Sequence, residues 1–396
     1  MLIKILFITW DGPQTHYTEG LFMPIFHEIE KTHPHYKFHY LQFTWGNDTQ
    51  AQQQASHEYN IPYAAAPILR KPVASVGSLF SLFTGKKYIQ KQVKAWDIDI
   101  LMPRSTFPSF MVNQIKNKNF KIIFDADGLA IEERVDFAGL KRDSLQYKFL
   151  KSIETKMLRK ADVIITRSQK ASDIHLQNIG VENADKFSVV QNGRNSQDFL
   201  LDDSTRTQMR ETLGITNEFL FVYAGSLGPQ YCFPEMLEIF QQYRPRHPSK
   251  FLILTGNLEF AENNIPEELK THIILKKVPV SEVSDYLNAA DLGFGLRQPT
   301  YSMQGVAPIK LGEYLLTGLP VIASKGIGDT TEILHAFDDC FLYDHEKTLK
   351  NQMPEIQKFI ENARTANRKK IRSKALEFFS LEAAAESYMN AFKKLI

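Results

Sequence analysis

The chain has 396 residues, 43% hydrophobic and 23% charged, a composition that fits a folded, water-soluble protein with room for two ordinary domains. Lysine and arginine number 47 against 45 acidic residues, so no overall charge excess marks it as a nucleic-acid binder, and no RNP or zinc-binding motif accompanies its basic stretches. The two cysteines, Cys232 and Cys340, stand in no CxxC pattern or metal-ligand spacing, which argues against a disulfide framework and fits a reducing compartment.

The first segment, MLIKILFIT, reads as a strand, because its apolar run is too short for a signal peptide and lacks a cleavage pattern. No apolar run approaches the ~18 residues that span a membrane. The predicted strand Ile3 to Thr9 is followed by the loop Trp10-Asp11-Gly12-Pro13-Gln14 and a helix over Gly20 to Glu30. Open α/β sheets bind ligands at the carboxyl ends of their strands, and Gly12 would let backbone approach a ligand there; the loop reads equally well as a simple turn. Tyr36 to Phe43 is a second strand, and residues 47–59 a helix. Over Ser78 to Trp96, Leu79, Leu82, Phe83, Ile89, Val93 and Trp96 recur at helical spacing beside Lys86, Lys87, Lys91 and Lys94. A basic amphipathic helix with exposed Phe and Trp can lie on an anionic membrane surface; the alternative is a helix packed on its own sheet with a solvated basic side.

Ile98 to Met102 and Lys121 to Asp125 are further strands, the second running into Asp125-Ala126-Asp127-Gly128. Asp127 either binds or deprotonates a substrate hydroxyl, or one of the two aspartates caps the next helix. Lys141 to Lys160 is a second basic amphipathic helix, and Asp162 to Thr166 a strand. Asn192-Gly193 is a strong turn signal. A polar linker near residues 202–207 precedes strands over Phe219 to Ala224, Leu252 to Thr255 and Ile273 to Lys276, with a helix over Ser281 to Ala289.

Asp291 to Leu334 carries the most chemistry. Leu292 to Leu296 suits a buried strand, a polar loop with Arg297 follows, and a helix should run from Pro308 to Gly318. Val321 to Ala323 is the next strand, and Gly326 and Gly328 make a tight turn. Lys310 and Glu313 share one face of the helix. A cation beside a helix amino end can hold a phosphate, and a carboxylate one turn deeper can accept from two sugar hydroxyls. The alternative is an ordinary surface ion pair. A last short strand, Phe341 to Tyr343, precedes helices over about 346–395.

The segment VAPIKLGEYLLTGLPVIAS, matched over Pro308 to Ala323, is similar to the donor-site segment of the GT4 family of GT-B glycosyltransferases, and VVQNGRNSQDF resembles a second pattern of that family. The resemblance implies two Rossmann-like α/β domains facing across a cleft. They would be an acceptor-binding domain over 1–200 and a nucleotide-sugar domain over 201–378, with a helix over 379–396 returning to the first. It implies a hexosyltransferase-like enzyme that moves a sugar, with retention of configuration, from a nucleotide-sugar donor to a glycan or lipid-linked acceptor in bacterial surface-polysaccharide synthesis. By resemblance Glu313 binds ribose and Lys310 the diphosphate. The donor set takes in Gly12, Asn192, Arg194, Ser226, Gly228 and Arg297, and Asp127 stands where the family often has a histidine.

Two departures stand out. Gly305 replaces a sugar-facing glutamate, and the usual Arg–Lys phosphate clamp after Ala224 is missing, so the positive charge must come from Lys310, Arg297 or Arg194. Asp125 and Asp127 have Asp-x-Asp spacing but fall on the acceptor side. No metal or cofactor is therefore expected, and no nucleic-acid partner. The expected location is the cytoplasm, with peripheral contact at the inner membrane face. Rival readings are a non-catalytic GT-B subunit, a GT-B sugar-nucleotide epimerase, and a membrane-surface scaffold that rests on the basic helices alone.

Overall fold

The computed structural model describes residues 2–12, 15–46, 48–116 and 120–395. Pro13 and Gln14 of the first loop, and Asn47 at the head of the expected second helix, lie outside the described residues.

Apolar runs become strands buried on both faces, as parallel sheets flanked by helices require. In the first sheet β1 (Ile3–Trp10), β2 (Tyr36–Thr44), β3 (Tyr63–Pro67), β4 (Ile100–Pro103), β5 (Lys121–Asp127), β6 (Val163–Thr166) and β7 (Phe187–Val189) lie in the order β3-β2-β1-β4-β5-β6-β7. The second holds β8 (Phe219–Ala224), β9 (Ser249–Leu254), β10 (Ile273–Lys276), β11 (Leu292–Gly295), β12 (Val321–Ser324) and β13 (Cys340–Tyr343), ordered β10-β9-β8-β11-β12-β13. Every pairing within both sheets is parallel. This is the doubly wound Rossmann order twice over, with strand order reversing at β1/β4 and again at β8/β11. β3 is missed by the sequence reading because its YAAAP segment lacks the β-branched residues that mark strands.

The chain divides into two compact units. The first comprises Met1–Gly193, Gln304–Val306 and Leu381–Ile396; the second comprises Arg194–Met303 and Ala307–Ser380. The helix Leu381–Phe392 is integral to the first unit. Its Tyr388 ring lies 6.2 Å from that of Phe26, and Phe392 lies 5.7 Å from Tyr36 and 6.2 Å from Phe38.

The helix expected over Ser78 to Trp96 runs over Ala74–Trp96, but its faces differ from the expected ones. Leu82 and Ile89 are buried, whereas Leu79 and Phe83 point outward with Val76 and Phe80. The cause is a small-residue face at Gly77, Ser81 and Gly85. A β-carbon at Gly77 would come 2.3 Å from the Leu69 carbonyl oxygen, and one at Gly85 would come 2.0 Å from the Met111 sulfur. The backbone docks so closely there that the bulky residues are turned out. No helix among the described residues is long and apolar enough to cross a membrane.

Candidate functional site

In the second unit, the site is built at the β8/β11 switch point. Beyond β8 the chain turns through Gly225 at φ +138°, a backbone state suited to glycine. A β-carbon at Gly225 would sit 2.9 Å from the Lys310 Nζ, so bare backbone is what admits the ammonium. Lys310 occupies the first turn of the helix Ile309–Leu316, whose N-cap is Pro308 and which no side chain caps. Tyr314 anchors that helix to β8: its hydroxyl accepts from the Ala224 N–H at 2.8 Å.

Lys310 is half-buried and forms no ion pair among the described residues. Its Nζ donates to the Tyr223 hydroxyl at 2.8 Å and lies 4.0 Å from the Tyr223 ring centre and 4.6 Å from that of Tyr231. Tyr223 passes its own proton toward the Ser226 carbonyl. Burial keeps that phenol protonated, its pKa raised well above the ordinary value. Burial, followed by the nearby Arg297, pushes the Lys310 ammonium well below the usual lysine range; Glu313 opposes the shift.

Arg297, just past β11, lays its guanidinium 4.8 Å from the Tyr231 ring centre, and its N–H donates to Ser324 Oγ at 2.9 Å. Lys310 and Arg297 therefore converge on one aromatic ring. Ser226 is exposed in the same loop, and the Gly228 carbonyl accepts from the Tyr231 N–H at 3.0 Å. This arrangement of two cations, backbone and a helix amino end suits a diphosphate.

Glu313 is not the partner of Lys310. It pairs with Arg194 at 3.0 Å, both side chains mostly buried at 16% and 12% exposure, and Arg194 also stacks 5.0 Å over Phe199. The surface-pair reading of Lys310 and Glu313 thus fails. Arg194 holds the carboxylate expected at the ribose rather than sitting with Lys310.

In the first unit, Gly12 is buried past β1, its carbonyl accepting from the Thr15 N–H at 3.2 Å and hydroxyl at 2.8 Å. Asn192 is half-buried in the segment after β7. Asp125 and Asp127 end β5, where a register irregularity against β6 separates them and re-aims the chain. Asp127 adopts φ +60°, with its N–H donating to Asp125 Oδ1 at 3.0 Å. Its carboxylate pairs with Arg104, and the fully buried Asp125 pairs with Arg167 at 2.8 Å. Neither aspartate caps the helix Ala130–Ala138, whose N-cap is Leu129.

Burial would raise the Asp127 pKa, but Arg104 and then Arg167 outweigh it and hold the carboxyl below its usual range; burial dominates at Asp125 and raises it. An ion-paired carboxylate with a depressed pKa is a weak base but a good hydrogen-bond acceptor.

Gly305 belongs to the segment counted with the first unit. A β-carbon there would stand 2.7 Å from the Leu129 amide nitrogen, and the Gln304 carbonyl accepts from Ser168 Oγ at 2.7 Å. No glutamate fits in this backbone-on-backbone contact. The glutamate that the resemblance would place at this position is thus sterically excluded. Tyr223, Tyr231, Arg104 and Arg167 escaped the sequence reading. Their nearest signal was position: Tyr223, Arg104 and Arg167 lie at or next to a strand's carboxyl end, and Tyr231 lies in the loop beyond β8.

Residues 205–377, less than half of the chain but most of the second unit, match the model of the family described as glycosyl transferases group 1. No curated protein matches the chain by sequence. Among solved structures, a glycosyltransferase from Rickettsia africae is similar with a TM-score of 0.71 at 14% identity, over 100% of this chain and 99% of that one. HepE from Anabaena, in complex with UDP and glucose, is similar at 0.70 and 15%, over 99% of each chain. The lipopolysaccharide outer core galactosyltransferase WaaB is similar at 0.69 and 14%, over 100% of each. At such identities the likeness is one of fold: two Rossmann-like halves of the GT-B class.

Proposed function

We propose that this protein is a nucleotide-sugar-dependent glycosyltransferase that passes a hexose to a glycan or lipid-linked acceptor. The observation that carries the reading is the convergence of Lys310 and Arg297 on Tyr231 at the β8/β11 switch point, inside the stretch that matches the group 1 family. Charge grows on a departing diphosphate as the sugar leaves, and fixed cations there favour the transition state over the ground state. Tyr223 orients the ammonium, and Gly225 leaves it room. Glu313, steadied by Arg194, takes the ribose hydroxyls. HepE is seen with UDP and glucose, which favours a uridine diphosphate sugar as donor.

In the first unit, Asp127 accepts from an acceptor hydroxyl and positions it; Gly12 and Asn192 complete the proposed set. Retention of configuration and a role in surface-polysaccharide synthesis go with this reading, and the transfer step uses no metal or cofactor. Peripheral membrane contact belongs to the first unit. The exposed Phe80 and Phe83 adjoin Lys87 and Lys91, and the rings of Phe83, Phe110 and Phe149 form a row, 5.4 and 5.7 Å apart, that joins the two basic helices.

The test is a thermal-shift screen against UDP-, GDP-, ADP- and CMP-sugars, followed by product analysis with and without acceptor. A stabilising donor that yields a glycoside only with acceptor supports the transferase. Epimerised donor formed without acceptor supports the epimerase, and binding without turnover supports a non-catalytic subunit.

A further inference from the structure

The second unit holds a side-chain cluster that sugar transfer does not use. Cys232 is the N-cap of the helix Phe233–Tyr243, and Glu235 lies in its first turn, three residues on and so on the same face. His345, more than a hundred residues later, follows β13. One ligand atom from each of Cys232, Glu235 and His345 lies within 4.8 Å of the other two. The sequence gives no hint of this grouping, because the helix and the β13 loop meet only in the folded sheet.

We infer that Cys232, Glu235 and His345 form a binding site for a single zinc ion. Cys232 is 4% exposed, and its thiol donates to the Gln298 Oε1 at 3.6 Å. The Glu235 carboxylate has no hydrogen bond or ion pair among the described residues. The half-buried carboxylate thus has no ion-pair partner among the described residues, and a metal ion beside it would supply the counter-charge. The His345 ring is already oriented, with Nε2 at 2.8 Å from Ser324 Oγ. The tautomer that donates from Nε2 leaves Nδ1 with the lone pair, and an oriented ring of this kind is typical of metal-bound histidine.

Thiolate, imidazole and carboxylate together select zinc over magnesium or calcium, which prefer all-oxygen shells. Zinc takes sulfur, nitrogen and oxygen ligands at about 2.0–2.3 Å, so small side-chain rotations of these three residues would be needed to close on one ion. The thiol proton leaves to solvent as the sulfur–zinc bond forms. Three protein ligands leave a fourth position, bordered by Gln298.

The ion would tie the β8 loop to the β13 loop. Cys232 is the neighbour of Tyr231, so zinc would fix the ring on which Lys310 and Arg297 converge. The role is structural and leaves the transfer chemistry unchanged.

Equilibrium dialysis of the full chain against zinc chloride, with metal analysis, should give one zinc per chain at micromolar metal. Cobalt(II) in its place should show a sulfur-to-cobalt charge-transfer band. Cys232→Ser should abolish that band, and Cys232→Ser and His345→Ala should each weaken zinc binding by roughly a hundredfold, at or beyond the loss seen on removing a group that merely supports a ligand. Glu235→Gln, a partly exposed change that leaves the fold intact, should weaken it by at least about tenfold, whereas Cys340→Ala should bind as the parent does. Absence of zinc at micromolar metal, or unchanged affinity in Cys232→Ser and Glu235→Gln, overturns the site. The assay contains no sugar donor, so its outcome is independent of the proposed activity.

Discussion

Lys310→Met should separate stability from activity. The unfolded chain carries an ordinary lysine, whereas burial and Arg297 depress the ammonium in the folded, empty site. Between the two pKa values the unfolded state binds the extra proton, so this residue makes stability rise with pH through that window. Below the folded value, both states are protonated and folding bears the full desolvation cost. Methionine keeps the length and places a thioether against the Tyr223 and Tyr231 rings. At neutral pH the variant should melt at or above the parent's temperature, and the pH dependence over that window should flatten.

Activity should move the other way. Of the three donors on the ammonium, one goes to Tyr223, leaving two for phosphate oxygens. At about 1.5 kcal/mol each, their loss removes roughly 3 kcal/mol from the transition state, on the order of a hundredfold in turnover. A bound diphosphate supplies the missing counter-charge, so UDP binding should take up a proton above the free-site pKa, and affinity should fall as pH rises through it. Calorimetric titration with UDP in two buffers of different ionisation enthalpy reads that proton, and initial rates read turnover. If Lys310→Met keeps near-parental turnover and UDP affinity, or melts well below the parent, the reasoning is wrong.

Glu313→Gln should weaken nucleotide binding by roughly tenfold to a hundredfold through loss of charge-assisted bonds; Arg194→Met, which only unpins the carboxylate, should weaken it less, and equal affinities by titration calorimetry would remove both from the site. Gly305→Ala should cost about 1–3 kcal/mol, because the new β-carbon meets the Leu129 backbone rather than a movable side chain. Thermal denaturation should show a clear fall, and a parental melting temperature would show that the contact yields. Vesicles with anionic lipid should sediment the protein at low salt and release it at high salt. The change Phe80→Ser should reduce this without lowering the melting temperature, and pull-down that is equal with neutral lipid would count against a charge-driven contact.

The donor stretch was legible because its punctuation is local. Apolar runs gave β11 and β12, Pro308 and Gly318 bounded the helix, and all three stand where the sequence put them. The environment of Lys310 was not legible. Tyr223 lies 87 residues upstream, and periodicity reports which face of an element is apolar, not what meets it. The same limit hid the Arg104–Asp127 and Arg167–Asp125 pairs, and the sulfur, carboxylate and imidazole gathered at Cys232. Which of the residues on that stripe face outward was not legible for another reason: pattern counting weighs large residues, while Gly77, Ser81 and Gly85 decided how the helix docked and left Phe83 exposed.

The discontinuity of the first unit also has a consequence for biosynthesis. The helix Leu381–Phe392 covers Phe26, Tyr36 and Phe38, yet it is made only after the whole intervening stretch Arg194–Ser380. At roughly 5–20 residues per second, the ribosome needs on the order of ten seconds or more to reach it. During that interval the nascent first sheet carries an uncovered aromatic face. The polypeptide is therefore open to capture by a chaperone or to self-association for a period set by translation speed rather than by its own folding rate, and slowed translation late in the message would lengthen that exposure.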